Sequence, residues 1–433
     1  MDDIDGPSSA EAVFRMKPAG AIEALARQFV AGQRMLAHAR RVLDTLPADA
    51  PVDAVTEVRQ RVDALTALWN TQQGPNLAAC FRLALASPAI VSGKPLNYRR
   101  EGDMHSLIDS PARSLGLTVT DFFSGAGGSS EGLRQAGYRI DACANHWETA
   151  VDTHRLNHPD TEHHLANLHD ADMRRFPRTT LLWASPSCVW HTPAGGRKKL
   201  PADEEMSRND AGALDRATAF AVIAAAEAHS YEAVIVENVP EFADWVLYRW
   251  WLDGMRALGY CAQTVVLDAA HFGAPQRRRR WFGVFTRDGA VDLTPPLREA
   301  VPAAAILEAD PGARLTRRLY VSPQIDQITD TDVPHLVMYR RNARPRRADQ
   351  NPLATITAGG NHHGLATVTS SGVYHRMLTN RECARAQGFS DDYEFLGTAK
   401  QVKRQIGNAV PVPVARWLGE RVAQALDDRQ AAA

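Results

Sequence analysis

The sequence predicts an α/β protein built on a doubly wound sheet, preceded by a helical N-terminal extension and carrying a small inserted module late in the chain. Three observations predict it. Strand-like and helix-like segments alternate from Leu117 onward, a glycine-rich turn follows the first strand-like segment, and the alternation breaks after about Thr286. The 433 residues, 45% hydrophobic and 23% charged, hold enough apolar surface for a large core and exceed the usual length of one domain.

Taken in order, residues 20–90 return apolar side chains every three or four positions, which predicts helices and makes 1–91 the helical extension. Residues 92–116 mix charges and turn formers without a period and are assigned as a linker. The core occupies 117–287. Its strand-like segments are LTVTDFF, RIDACAN, TLLWAS, EAVIVENV, QTVVLDA and RRWFGVFT, and its helix-like segments are SSEGLRQAG, ETAVDTHRLN, ATAFAVIAAAEAHS and WVLYRWWLDGMRALG. Residues 288–374 are proline-rich and irregular, as expected of an inserted recognition module, whereas 375–433 become helical again and complete the core.

Composition narrows the function classes. No apolar run approaches the ~20 residues that span a bilayer, and the acidic start lacks a basic and an apolar signal region, so a cytosolic protein without a membrane partner is expected. The five cysteines lie far apart with no CxxC pair, which argues against a disulfide framework and a structural zinc site; no metal is expected. A net charge of -1 gives no global attraction to nucleic acid, although basic residues cluster locally.

The first strand runs into Asp121-Phe122-Phe123-Ser124-Gly125-Ala126-Gly127-Gly128 and then a helix, so a glycine-rich turn lies at the carboxyl end of a sheet strand, where α/β proteins bind ligands. The turn is not GxGxxG and no P-loop lysine follows. Its expected ligand is a nucleoside without a pyrophosphate, a description that adenosylmethionine meets.

From Thr118 to the tail the chain resembles the bacterial and phage-type DNA cytosine-5 methyltransferases. The resemblance rests on DFFSGAGG, Pro186-Ser187-Cys188, Glu237-Asn238-Val239, Gln276 to Arg280, LTNRECARAQGF and Gln405-Ile406-Gly407-Asn408-Ala409-Val410-Pro411, met in the family's order. It covers about three quarters of the chain, leaves the N-terminal part aside, and departs from the family at Ser185-Pro186-Ser187-Cys188, where a second proline is usual. That departure suggests a divergent subgroup.

The resemblance implies a Rossmann-like methyltransferase sheet, mostly parallel, and methylation at C5 of a flipped-out cytosine through a covalent Cys188–C6 adduct. Cytosine C5 needs this help, since it is too weak a nucleophile until a thiolate has added at C6. Glu237 ends the apolar run AVIVENV, where burial raises a carboxyl pKa, and such an acid can protonate N3 while Asn238 positions it. Arg278 and Arg280 alternate in extended chain and share a face; the resemblance has them support the flipped nucleotide and its pocket. S-adenosylmethionine is the implied cofactor, leaving as S-adenosylhomocysteine. Its candidate contacts are Phe123, Ser124, Gly125, Ala126, Gly127, Gly128, Trp147 against adenine, Asn167 near the adenine amine, Pro186, Asn408 and Ala409. His146 stands where the family places an acid for the ribose; Asn145 and Glu148 are alternatives.

In the inserted module, Arg340, Arg341, Arg344, Arg346 and Arg347 suggest phosphate contact with double-stranded DNA. The segment TITAGGNHHG, residues 355–364, is glycine-rich enough to approach DNA closely. The implied setting is cytoplasmic and nucleoid-associated. The sequence does not choose among a partner of a cognate restriction endonuclease, a phage enzyme and a solitary regulator, nor does it give the target sequence or oligomeric state. Two rivals stand beside this reading, a transfer RNA cytosine-5 methyltransferase with the same thiol and carboxyl, and a DNA-binding homologue without catalysis. A nicotinamide dehydrogenase is disfavoured by the missing GxGxxG.

Overall fold

The structure is a computed structural model and describes residues 116–187, 216–287, 289–296 and 298–432. The expected N-terminal helices, the linker as far as residue 115 and Cys188 lie outside the described residues. The chain forms two units, one of Pro111–Pro186, Ala225–Tyr248 and Met255–Ala433, the other of Met1–Ser110, Ser187–Ala224 and Arg249–Gly254. In the described part of the second unit, the Trp251 indole donates to the Ala219 carbonyl (2.8 Å) and the Ser187 amide to Thr218 Oγ1 (3.2 Å).

The larger unit contains two sheets. The first is made by β1 (Thr118–Phe122), β2 (Arg139–Asn145), β3 (Glu162–Leu165), β4 (Leu181–Ala184), β5 (Ala233–Asn238), β6 (Cys261–Asp268) and β7 (Arg279–Thr286), in the order β3-β2-β1-β4-β5-β7-β6. Strands β3, β2, β1, β4 and β5 run parallel, and β7 enters antiparallel between β5 and β6. The described core segments also form α1 (Gly128–Gln135) and α2 (Glu148–Asn157), which lie in this unit, and α3 (Phe220–His229) and α4 (Tyr248–Ala257), whose residues divide between the two units. Strands β1, β4 and β5 are buried along their whole length, as parallel strands covered on both faces must be. Strand β3 escaped prediction because its sequence, EHHL, has no apolar run and only half-buried or exposed residues.

Residues 313–377 differ from the irregular module that the sequence suggested. They contain β8 (Ala313–Arg314), α5 (Ser322–Ile325), β9 (Pro334–Met338), β10 (Arg346–Arg347), β11 (His363–Thr369) and β12 (Gly372–Met377), and the strands form an antiparallel sheet in the order β10-β9-β11-β12-β8. Two of these strands have only two residues, too few to show a period.

The tail holds α6 (Asn380–Ala386), α7 (Ala399–Asn408) and α8 (Val412–Ala432). Capping boxes start the first two, Thr379 with Glu382 and Thr398 with Gln401, each pairing a threonine hydroxyl with the amide three residues on and returning a side-chain oxygen to the cap amide. Helix α8 packs on α1. Val410, Val414, Leu418 and Val422 share one core with Val119, Leu133, Trp183, Ile235 and Phe282, so the tail closes over the first sheet. Close approach is required, because a Cβ on Gly132 would lie 2.6 Å from the Val412 carbonyl.

Candidate active site

Strand order reverses between β1 and β4, and ligands of doubly wound sheets bind in the crevice at the carboxyl ends of such a pair. After β1 comes the glycine turn. Phe123 (φ 59°) and Gly125 (φ 54°) are left-handed, and an added Cβ at Gly125 would meet nothing within 4 Å, so the turn has an open side next to its backbone. Gly127 closes the turn by donating to the Ser124 carbonyl (2.9 Å), and the Tyr393 hydroxyl donates to the Ala126 carbonyl. Ser124, Ala126 and Gly128 are buried. A Cβ on Gly128 would lie 2.3 Å from the Val410 carbonyl and 3.2 Å from the Ala409 methyl, so the tail motif abuts the turn.

Behind the turn, Asp121 is fully buried and accepts hydrogen bonds from Ser129 and Ser130, both at 2.6 Å. Burial pushes its carboxyl up to about 7, against the lowering effect of the two hydroxyls.

After β4 the chain runs through Ser185 and Pro186. Next to it, β5 ends in Glu237 and Asn238, both buried. Glu237 Oε1 lies 3.1 Å from Arg280 Nε in β7, and both side chains are at least 86% buried by side-chain exposures of 10% and 14%. Desolvation holds the Glu237 carboxyl above the usual carboxylate range, and Arg280, Arg278 and the Ser185 hydroxyl only partly offset it. Ser185 was not singled out from the sequence. Its hydroxyl accepts the Trp183 indole hydrogen at 3.0 Å, which leaves its own hydrogen for Glu237. The Asn238 amide nitrogen donates to the Pro186 carbonyl (3.1 Å), and its oxygen accepts from the Val239 amide (2.9 Å). It fixes the turn after β4.

Arg278 and Arg280 part company. Arg280 meets Glu237, whereas Arg278 is 2% exposed and donates to the Ile356 and Gly407 carbonyls at 2.9 and 3.0 Å. Gln276 makes a similar staple: its amide donates to Gln387 Oε1 (2.6 Å), and Gln387 in turn donates to the Ile406 carbonyl (2.6 Å). Three motifs distant in sequence are thus joined by buried side-chain hydrogen bonds.

The remaining cofactor candidates range from exposed to buried. Trp147 is half-buried and carries the Arg404 guanidinium 4.8 Å from its ring centroid. His146 and Glu148 are exposed, and buried Asn145 accepts from the Trp147 amide at 2.9 Å, which orients the start of α2. Asn167 is exposed and bonds Asp170 (3.0 Å); Asn408 is exposed and Ala409 buried.

Arg340, Arg341 and Arg344, in the connection between β9 and β10, and Arg346 in β10 are exposed. Arg347 is half-buried and held by Asp349 (2.7 Å) and Asp330 (3.0 Å), so its charge is balanced within the chain. The segment 355–364 is likewise less free than expected, since Ile356 is buried, His363 lies in β11, and a Cβ on Gly407 would come within 2.3 Å of the Ala358 amide.

Cys143, His154 and His163 are not grouped by any motif or spacing along the chain. Among the described residues their ligand atoms lie within 4.8 Å of one another. The spacing carried no signal because they come from a strand, a helix and another strand.

A glycine turn at a sheet switch point, with a buried carboxyl at the end of a nearby strand, is the arrangement of an α/β protein that takes a ligand at the carboxyl ends of its strands. The family described as C-5 cytosine-specific DNA methylase matches residues 117–304 and 311–424, and the chain belongs to it. It is a DNA (cytosine-5)-methyltransferase, and the family implies S-adenosylmethionine as methyl donor. The Type II methyltransferase M.HgiDI of Herpetosiphon aurantiacus is 31% identical over 311 residues, covering 70% of this chain and 93% of that protein. The Type II methyltransferase M.NgoMIV of Neisseria gonorrhoeae is 28% identical over 332 residues, covering 72% and 98%. The fold is shared with the crystal structure of the S. pombe Dnmt2 methyltransferase, with a TM-score of 0.52 and 17% identity over 71% of this chain and 99% of that one. Among the described residues no helix is long and apolar enough to cross a membrane.

Proposed function

We propose that Cys188 adds to C6 of a cytosine turned out of double-stranded DNA while Glu237 protonates N3, and that the activated C5 then takes a methyl group at the turn of residues 123–128. The observation that carries this reading is the buried Glu237 carboxyl at the end of β5, held above its ordinary pKa beside the strand that leads towards Cys188. A carboxyl that burial holds above the usual carboxylate range can give its proton as the sulfur–carbon bond forms, so the ring builds up no net negative charge. Arg280 then faces a carboxylate and stabilises it, and Ser185 keeps the carboxyl oriented. Asn238 holds the Pro186 carbonyl, two residues before Cys188 in sequence. Bound at the turn, S-adenosylmethionine supplies an electrophilic methyl on its sulfonium. The open backbone at Gly125 and the half-buried Trp147 ring fit its nucleoside and amino-acid parts, and no basic side chain in the turn calls for a phosphate. Loss of the C5 proton to water afterwards expels the cysteine sulfur. Removing the base from the stack costs a few kcal/mol, roughly what a handful of phosphate and groove contacts returns.

In the same reading residues 288–374 recognise the target, with Arg340, Arg341, Arg344 and Arg346 on phosphates, and 375–433 belong to the catalytic core. The names of the two bacterial relatives support a restriction-modification role, in which a cognate endonuclease shares the target sequence.

The test is incubation of the full chain with labelled S-adenosylmethionine and either mixed-sequence DNA or transfer RNA, followed by base analysis. Label in DNA 5-methylcytosine, absent with Cys188→Ala, is the expected result. Label in RNA alone, or equal labelling by the variant, overturns it.

A further inference from the structure

Cys143 and His163 are register partners on the neighbouring parallel strands β2 and β3, so both side chains leave the sheet on one face. Helix α2, which connects these strands, brings His154 to the same place. His154 Nδ1 lies 3.5 Å from Cys143 Sγ and 2.9 Å from His163 Nε2. Cys143 and His154 are fully buried; His163 is half-buried on β3, an edge strand of the sheet.

The hydrogen-bond chain behind His154 fixes its tautomer. Ser130 gives its hydroxyl hydrogen to Asp121 Oδ2 (2.6 Å) and therefore accepts from His154 Nε2 (2.8 Å). Nε2 carries the ring proton, and the bare Nδ1 lone pair points at the thiol and the second imidazole. A histidine whose far nitrogen is held by a carboxylate-backed donor network is the usual arrangement around a bound metal. One thiolate and two neutral imidazoles suit a borderline-soft divalent ion of tetrahedral preference.

We propose that Cys143, His154 and His163 bind a divalent cation of the zinc class, immediately behind the cofactor turn. Zn–N bonds of about 2.0–2.1 Å and Zn–S bonds of about 2.3 Å imply tetrahedral edges of roughly 3.3 Å between nitrogens and roughly 3.5 Å between nitrogen and sulfur. The edge between His154 and the sulfur is already met, the two rings need to part by about half an ångström, and His163 Nε2, within 4.8 Å of the sulfur, completes the set. The thiol loses its proton to solvent as the metal–sulfur bond forms, so a group that burial otherwise keeps protonated becomes a ligand. Water from the open side at His163 supplies the fourth ligand.

The ion would tie β3 to α2 and, through Ser130, to the first turn of α1. A Cβ on Gly127 would come within 3.0 Å of the His154 ring, so the site abuts the turn itself. Without an ion the same atoms make hydrogen bonds, His154 Nδ1 meeting both His163 Nε2 and the Cys143 thiol, and the experiment separates these two states.

The full chain is stripped with chelator and titrated with cobalt(II) chloride, then with zinc. One equivalent of cobalt is expected to give a thiolate-to-cobalt charge-transfer band that zinc abolishes. Cys143→Ser is expected to lose the band, and His163→Asn to weaken cobalt binding at least tenfold. His163→Cys, which keeps a ligand at an accessible position, is expected to retain binding with a stronger sulfur band. A wild-type chain without the band, a band that persists in Cys143→Ser, or equal binding by His163→Asn overturns the site.

Discussion

At the scale of single residues, Glu237 is where sequence and structure agree most closely. An acid ending the run AVIVENV is visible without coordinates, and so is its burial, because the four preceding residues are those of an interior strand. Replacing it with Gln keeps the shape and removes the proton, so kcat/KM is expected to fall roughly 10²–10⁴-fold, as loss of a general acid does. Stability should move oppositely with pH. The unfolded carboxyl titrates near the ordinary 4.5 and the folded one higher, so the unfolded chain releases its proton first. Relative to Glu237→Gln, the wild-type chain loses stability as pH climbs from 4.5 to the folded value and loses no more beyond it. Thermal melts of both proteins from acid to neutral pH check this; a wild-type stability that stays constant or rises relative to the variant refutes it. Arg347 shows the limit of reading residues in a row. It belongs to an arginine run, yet its partner Asp330 is 17 positions away and nothing in the run distinguishes it from Arg346.

At the scale of elements, strand and helix positions in the core followed from apolar periodicity, with β2, α2 and β7 bounded as their segments suggested. Pairing did not follow. Nothing in RRWFGVFT indicates that β7 lies antiparallel between β5 and β6, because that order is decided by which exposed edge remains after the parallel strands have assembled. The second sheet was missed for a related reason, since strands of two residues derive their conformation from their neighbours. The metal-ligand cluster is legible only after β2, α2 and β3 are placed together. A prediction at this scale concerns the junction of α1 with the tail. In Gly128→Ala the new methyl would point at the Val410 carbonyl, a backbone atom that cannot rotate away. A destabilisation of about 1–3 kcal/mol is expected from such overpacking, together with weaker binding of S-adenosylhomocysteine. Urea denaturation and calorimetric titration read the two effects; unchanged values in both would show that the tail does not brace the turn.

At the scale of the whole molecule, a net charge of -1 leaves DNA affinity to local patches. Four exposed arginines in the second sheet region supply one, while Arg347 is balanced internally. Each phosphate contact contributes about -0.9 to the slope of log K against log salt. Replacing Arg340 and Arg341 together with Gln is therefore expected to flatten that slope by about two, and Arg347→Gln to leave it unchanged. Fluorescence anisotropy with duplex DNA at several salt concentrations measures both, and equal effects of all three arginines would contradict the assignment.

The account as a whole turns on a covalent bond between protein and base. The direct measurement is incubation of the full chain and S-adenosylmethionine with duplex DNA containing 5-fluorocytosine, followed by mass spectrometry of any trapped peptide, since fluorine at C5 prevents the step that releases the sulfur. A methylated fluorocytosine adduct on Cys188, formed far more slowly by Glu237→Gln, is the predicted result. An adduct on another cysteine, or methylated DNA without any adduct, contradicts it.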